Sequence, residues 1–315
     1  MSVIDTLSTA FHRVSRRPWL ITIPVLLDLF FWFGPRLSIA PLVDQYLAFV
    51  KTSMSTLPPG AVTGGDMAAR VDTMFEVLPE LASQINLFSL LSLNSSGRLG
   101  VPAILGGQPI GWWPASVIEM GGFGAVALLP FLAGMGLLLT CLFMGMLAQD
   151  VRDGGLDIAR LFRRVPAHWI SIVLVIVPLG MAFTFALSIG LALGPLSVVV
   201  LAVTIWVLIY MTFFPQAVIL GEAGPLGGLV TSFAIVRFTF WPTVGLVVLN
   251  NVIGLGLSYI WKRLLIESPV GTLVAVLANA YVGTALTLAL FIFYRDRLVK
   301  WHEALSAQRS VEENG

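Results

Sequence analysis

The sequence predicts an all-α polytopic membrane protein, with six transmembrane helices arranged as three hairpins, each preceded by a cytoplasmic interfacial helix. Three observations predict it. First, 57% of the 315 residues are hydrophobic and only 11% are charged, where an average globular domain carries roughly a quarter charged residues. The mean hydropathy is +0.91. Second, six stretches offer the about 20 apolar residues of helix that a bilayer core demands. Third, arginines and lysines collect on one side of those stretches. The net charge of +1 supplies no excess positive field for phosphates, which points away from nucleic acid. A single cysteine, Cys141, leaves no intramolecular disulfide framework and no zinc-thiolate site.

Residues 1–17 form the first interfacial helix, because Val3, Ile4, Leu7, Phe11 and Val14 recur at spacings of mostly three and four. The first span is 18–38. Its run is too long for a signal peptide, and Pro41 blocks cleavage after Ser38-Ile39-Ala40, so the span is retained. Residues 39–121 are an extracytoplasmic insertion. Met67, Val71, Met74, Phe75 and Leu78 predict a helix within Asp66 to Leu93, with Pro79 dividing it. From Gly97 to Pro114, glycines and prolines end regular structure, and Trp112 and Trp113 mark a return to the outer interface. The insertion's apolar content predicts a cap on the outer ends of the bundle, with a ligand- or partner-binding lid as the alternative.

The second span is 122–148. A cytoplasmic loop at 149–168 holds the second interfacial helix, with Leu156, Ile158, Leu161, Phe162 and Val165 on one face. The third and fourth spans, 169–190 and 196–219, meet at a Gly194-Pro195 turn, and Gly190 and Gly194 allow the two helices a close approach. Residues 220–240 form the third interfacial helix, followed by spans at 241–261 and 270–294 and a cytoplasmic tail at 295–315. Pro178 and Pro215 predict kinks in their spans. With both termini inside, twelve of the 18 basic residues are cytoplasmic; Arg36, Lys51, Arg70, Arg98, Lys262 and Arg263 stay outside. That bias matches the positive-inside rule for a bacterial plasma membrane.

The odd-numbered spans share a lead-in. Arg16, Arg17 and Trp19, then Arg163, Arg164 and Trp169, then Arg237 and Trp241 are the interfacial anchors, each set with a proline within three residues of its tryptophan. Arginine binds anionic headgroups, tryptophan sits at the interface, and proline is tolerated in a first helical turn. This triple pattern is either an internal repeat or a convergence on the same interfacial chemistry. The third lead-in carries Glu222-Ala-Gly-Pro225, Ser232, Arg237 and Phe240-Trp241. Over about 25 residues this segment resembles the YciC-like and glycerophosphodiester-phosphodiesterase membrane-domain group of bacterial six-helix integral membrane proteins. It lacks the lysines and arginines usual along that helix. The resemblance implies a fold and no activity, since the phosphodiesterase domain of the fusion proteins is absent here.

Four polar residues fall inside spans. Asp28 lies about 16 Å of helix beyond Arg17, near the bilayer midplane. Asn250, Asn251 and Asn279 sit at similar depth in the fifth and sixth spans, so the four residues form a candidate intramembrane polar site. Either Asp28 fixes helix packing through a hydrogen bond, or the patch is a proton or substrate site of a transporter. No zinc-protease pair, nucleophile elbow or phosphate loop is present in the sequence, so no catalytic residue, cofactor or metal is expected. Of the functions that remain, a non-catalytic partner-binding, scaffolding or membrane-organising protein comes first. A small secondary transporter built on Asp28 is the alternative, and an intramembrane enzyme comes last. The expected partners are the lipid bilayer and a membrane protein or second copy of the chain.

Overall fold

The computed structural model describes residues 1–55, 73, 75, 77–80, 82, 85–93, 99–106, 116–192, 194 and 197–314. Asp66, Met67, Val71, Met74, Trp112, Trp113 and Pro195 lie outside these residues. The described residues are mostly helical, and among them five helices are long and apolar enough to cross a membrane. That is the layout of an all-α polytopic membrane protein. Helix α1 (Val3–Arg16) starts on a capping box between Ser2 and Asp5. Pro18 opens a 3₁₀ turn, Pro18–Ile21, which leads into α2 (Thr22–Phe33). Strand β1 (Arg36–Ser38) and α3 (Ala40–Ser55) follow, and β1 pairs in parallel with β2 (Val117–Glu119). Then come α4 (Gly122–Asp153), α5 (Ile158–Ala192), α6 (Ser197–Tyr210), α7 (Phe214–Ile219), α8 (Pro225–Phe238), α9 (Phe240–Glu267) and α10 (Pro269–Asn314).

Several expected boundaries move. The first span is a four-residue turn plus a 12-residue helix, together about 24 Å and short of a hydrocarbon core of about 30 Å. It stops at Gly34, whose backbone is extended at φ −78° and ψ 167°, the conformation favoured in front of Pro35. The expected division between a second interfacial helix and a span at Trp169 is absent: α5 runs unbroken through Pro166 and Pro178 for 35 residues. Trp169 donates its indole N–H to the Gly134 carbonyl at 2.9 Å, which ties α5 to α4. The fourth span does break, between α6 and α7. There the buried Ser232 hydroxyl donates to the Tyr210 carbonyl at 2.7 Å and accepts from the Phe213 N–H at 3.2 Å, which satisfies backbone that the helix break frees. The cytoplasmic tail is no separate element, since α10 continues the sixth span as one 46-residue helix.

The pairing of helices departs from three hairpins as well. α5 packs on α6, and α9 on α10, as expected. α2 packs on α10 rather than joining α4 in a hairpin, and α1 lies along α10. Tyr281 on α10 donates to the Phe11 carbonyl at 3.3 Å. α10 is therefore the axis of the bundle, with Ala285, Leu288, Ala289, Phe291 and Phe293 fully buried. Small residues there admit close neighbours.

The insertion does more than cover an end of the bundle. The 3₁₀ turn Leu87–Leu91 packs on α4, and residues 99–106 pass between α2 and α10. Val101, Ala103 and Leu105 are buried in the main apolar cluster. Gly100 makes the approach at φ +146°, a conformation that side-chain-bearing residues rarely adopt. Pro102 sits so close to Gly283 of α10 that a Cβ there would overlap its ring.

Candidate functional site

Non-helical backbone inside a bundle must find partners for its N–H and C=O groups. The segment 99–106 finds them on several elements. The Val101 N–H donates to the Ser92 carbonyl at 2.8 Å. The Asp28 carboxylate, fully buried on α2, accepts the Ile104 and Leu105 N–H groups at 2.9 and 2.8 Å. Asn279 donates its amide N–H to the Pro102 carbonyl at 3.4 Å. Asp28 and Asn279 thus grip the same short segment from two helices. Asp28 is a strut for this segment.

Beyond the segment, Asn250, Asn251 and Asn279 come together on one cavity of about 360 Å³ between α9 and α10. Gly100 and Pro102 form part of its wall, while Asp28 is not among the lining residues. The four sequence-predicted residues are therefore divided: three asparagines at the cavity, and the carboxylate holding the segment that walls it. Asn250 donates to the Leu286 carbonyl at 3.5 Å, and Asn251 donates to the Val247 carbonyl at 2.7 Å within its own helix. Two polar atoms of lining residues, Asn250 Oδ1 and Trp261 Nε1, are buried without a hydrogen-bond partner. Thr212, Ser258 and Thr287 add hydroxyls, and among the described residues no charged side chain lines the cavity. Such a lining suits a small uncharged molecule that both donates and accepts hydrogen bonds, because a charge would be desolvated with nothing to compensate it.

Trp261, Ser258 and the 99–106 segment escape a reading of the sequence. Part of the signal was present: Asn250, Gly254 and Ser258 recur at four-residue intervals, as do Asn279, Gly283 and Thr287. Each set therefore shares a helix face. The eight interfacial anchors divide too. Arg17 pairs with Asp150, and Arg164 with Glu222. Arg16, Arg163, Arg237 and Trp241 are exposed, and Trp19 and Trp169 are half-buried. Glu222, the acid that opens the lead-in of α8, holds φ +52° and accepts from Arg152 at 2.6 Å. Comparison of the chain with family models, with curated proteins and with solved structures finds no match.

Proposed function

We propose that this chain is a non-catalytic, multi-pass membrane protein that binds a small uncharged polar solute between α9 and α10, in the manner of a permease. The single observation that carries the reading is the cavity of about 360 Å³, with its three asparagines and no charged side chain among the described residues. The two unpartnered atoms of Asn250 and Trp261 support it, since an unmet buried polar atom costs on the order of 1–3 kcal/mol. A solute with a hydroxyl or an amide recovers that cost. Asp28 plays a positioning part in this reading, and a proton cycle on it is no part of the proposal. A plasma-membrane location with both termini on the cytoplasmic side fits the Met1 ammonium meeting Asp296 of α10 at 3.4 Å. Kinship with the YciC-like group rests on the Glu222–Trp241 segment alone, in which Ser232 holds the break between α6 and α7.

Thermal unfolding of the purified chain in nanodiscs, against glycerol, erythritol, urea and acetamide, tests the reading. At least one of these raises the Tm of the wild-type protein. Gly254 lines the cavity, and a Cβ there makes only an ordinary contact with Leu286. Gly254→Leu therefore starts from an unstrained Cβ, and its remaining carbons occupy the cavity and abolish the shift. A Tm indifferent to all four solutes, or a shift that Gly254→Leu leaves intact, overturns the proposal.

A further inference from the structure

At the end of the bundle where α1, α4 and α10 meet, three carboxylates are outnumbered by arginines. Asp150, fully buried, is shared by Arg13 at 3.7 Å and by Arg17. Asp153 is shared by Arg152 at 3.1 Å and Arg160 at 3.2 Å. Glu222 is shared by Arg152 at 2.6 Å and Arg164. Arg295 donates to the Val151 carbonyl, which leaves its charge uncompensated. Arg16 makes no hydrogen bond or ion pair among the described residues. None of these arginines has a carboxylate to itself, so the network is left with positive charge to spare. A cavity of about 520 Å³ opens within it, lined by Arg13, Arg16, Arg17, Arg152 and Arg295 against Asp150 and Asp153 alone, with His12 and Thr9 at hand.

We propose that this cavity is a phosphate-binding site, for the phosphate of an anionic lipid headgroup or for a free phosphate anion. A planar guanidinium presents paired N–H donors that match phosphate oxygens, and several of them together exceed what a single carboxylate can neutralise. Asp150 draws Arg13 and Arg17 together and so preorganises the cluster rather than closing it. Asp150 is buried while the Arg13 and Arg17 side chains stay 38% and 36% exposed, so their remaining N–H groups are open to a further anion. This site is separate from the solute cavity and shares no lining residue with it.

The test uses the full chain in two arms. In phosphatidylcholine nanodiscs, calorimetric titration with sodium phosphate reads a free anion. In nanodiscs of increasing phosphatidylglycerol content, native mass spectrometry reads retained lipid. Arg16 is exposed and holds nothing else in place, so Arg16→Gln leaves the fold alone. It weakens binding in the responding arm roughly tenfold, the loss of one charge-assisted contact. Arg263→Gln, exposed on α9 and away from the cavity, changes nothing. Binding in the phosphate arm assigns a free anion, binding in the lipid arm assigns a headgroup, and both together show that the phosphate suffices. The proposal fails if neither probe binds, or if Arg16→Gln binds as the wild type does.

Discussion

Asp28 and Asn250 are both polar side chains carried on apolar helices, and their surroundings treat them in opposite ways. Asp28 is fully buried, and both of its oxygens accept backbone N–H groups, from Ile104 at 2.9 and 3.2 Å and from Leu105 at 2.8 Å. Asn250 borders a cavity, donates one long hydrogen bond of 3.5 Å, and keeps Oδ1 unpartnered. Saturated polarity holds backbone in place, whereas unsaturated polarity beside empty space is capacity for a ligand. Hydropathy weighs the two alike. Geometry separates them.

The largest expected effect breaks the saturated side. Asp28→Ala leaves one buried and one part-buried N–H group without this acceptor, at a cost on the order of 2–4 kcal/mol. It lowers the Tm in detergent and exposes the 99–106 segment to proteolysis. Asp28→Asn keeps one acceptor oxygen and loses less than half as much. If Asp28→Ala unfolds like the wild type while solute binding disappears, the contrast between strut and ligand site is reversed. Next in size, Gly283→Ala drives a methyl group into Pro102 and costs about 1–3 kcal/mol, read in the same assay. The solute Tm shift falls with it, because Pro102 walls the cavity.

The unsaturated side responds differently. Trp261→Phe keeps an aromatic ring, though a smaller one, and removes an N–H that has no partner. Stability changes by less than about 1 kcal/mol in either direction, while solute affinity falls by at least the worth of one hydrogen bond. A destabilisation as large as that of Asp28→Ala would show that the indole N–H is structural.

The smallest effect lies outside the bundle's interior, at the start of α1. The Ser2 hydroxyl, and after it the Ser2 backbone N–H, hold the Asp5 carboxyl below its ordinary range. The folded value lies below the unfolded one, so the contribution is present above the unfolded value and is lost as pH falls through the folded one. Ser2→Ala therefore lowers stability at neutral pH, and the gap narrows in acid below about pH 4 to what the lost cap on the Asp5 N–H leaves. A gap of unchanged size at low pH would remove the Asp5 carboxyl from the account.

Much of the fold was legible because bilayer length and helical periodicity leave direct marks on a sequence. The second and fifth spans begin within a residue of where hydropathy places them, at Gly122 and Phe240. The depth at which Asn250, Asn251 and Asn279 meet also follows from counting residues along two helices. What escaped has a common cause. Trp169 reads as an interfacial anchor because its ring is amphipathic, but its partner is the Gly134 carbonyl, 35 positions away in the chain. Arg17 reads as a headgroup ligand, and that reading misses its ion pair with Asp150. Neither pairing leaves a local trace.

The same limit governs burial. The apolar windows of α10 and α5 have mean hydropathies of 1.9 and 2.5, yet 67% of the first and 6% of the second is buried within the protein. Composition alone determined that these helices avoid water, along with the helical class and the membrane-like solvent. Which of them packs on protein and which faces outward was decided by the tertiary fold, as was the insertion of 99–106 beside Asp28. The physical reason is that transfer out of water rewards an apolar surface almost equally in lipid and in protein. Only the pairing of specific donors, acceptors and small residues across long sequence separations chooses between them.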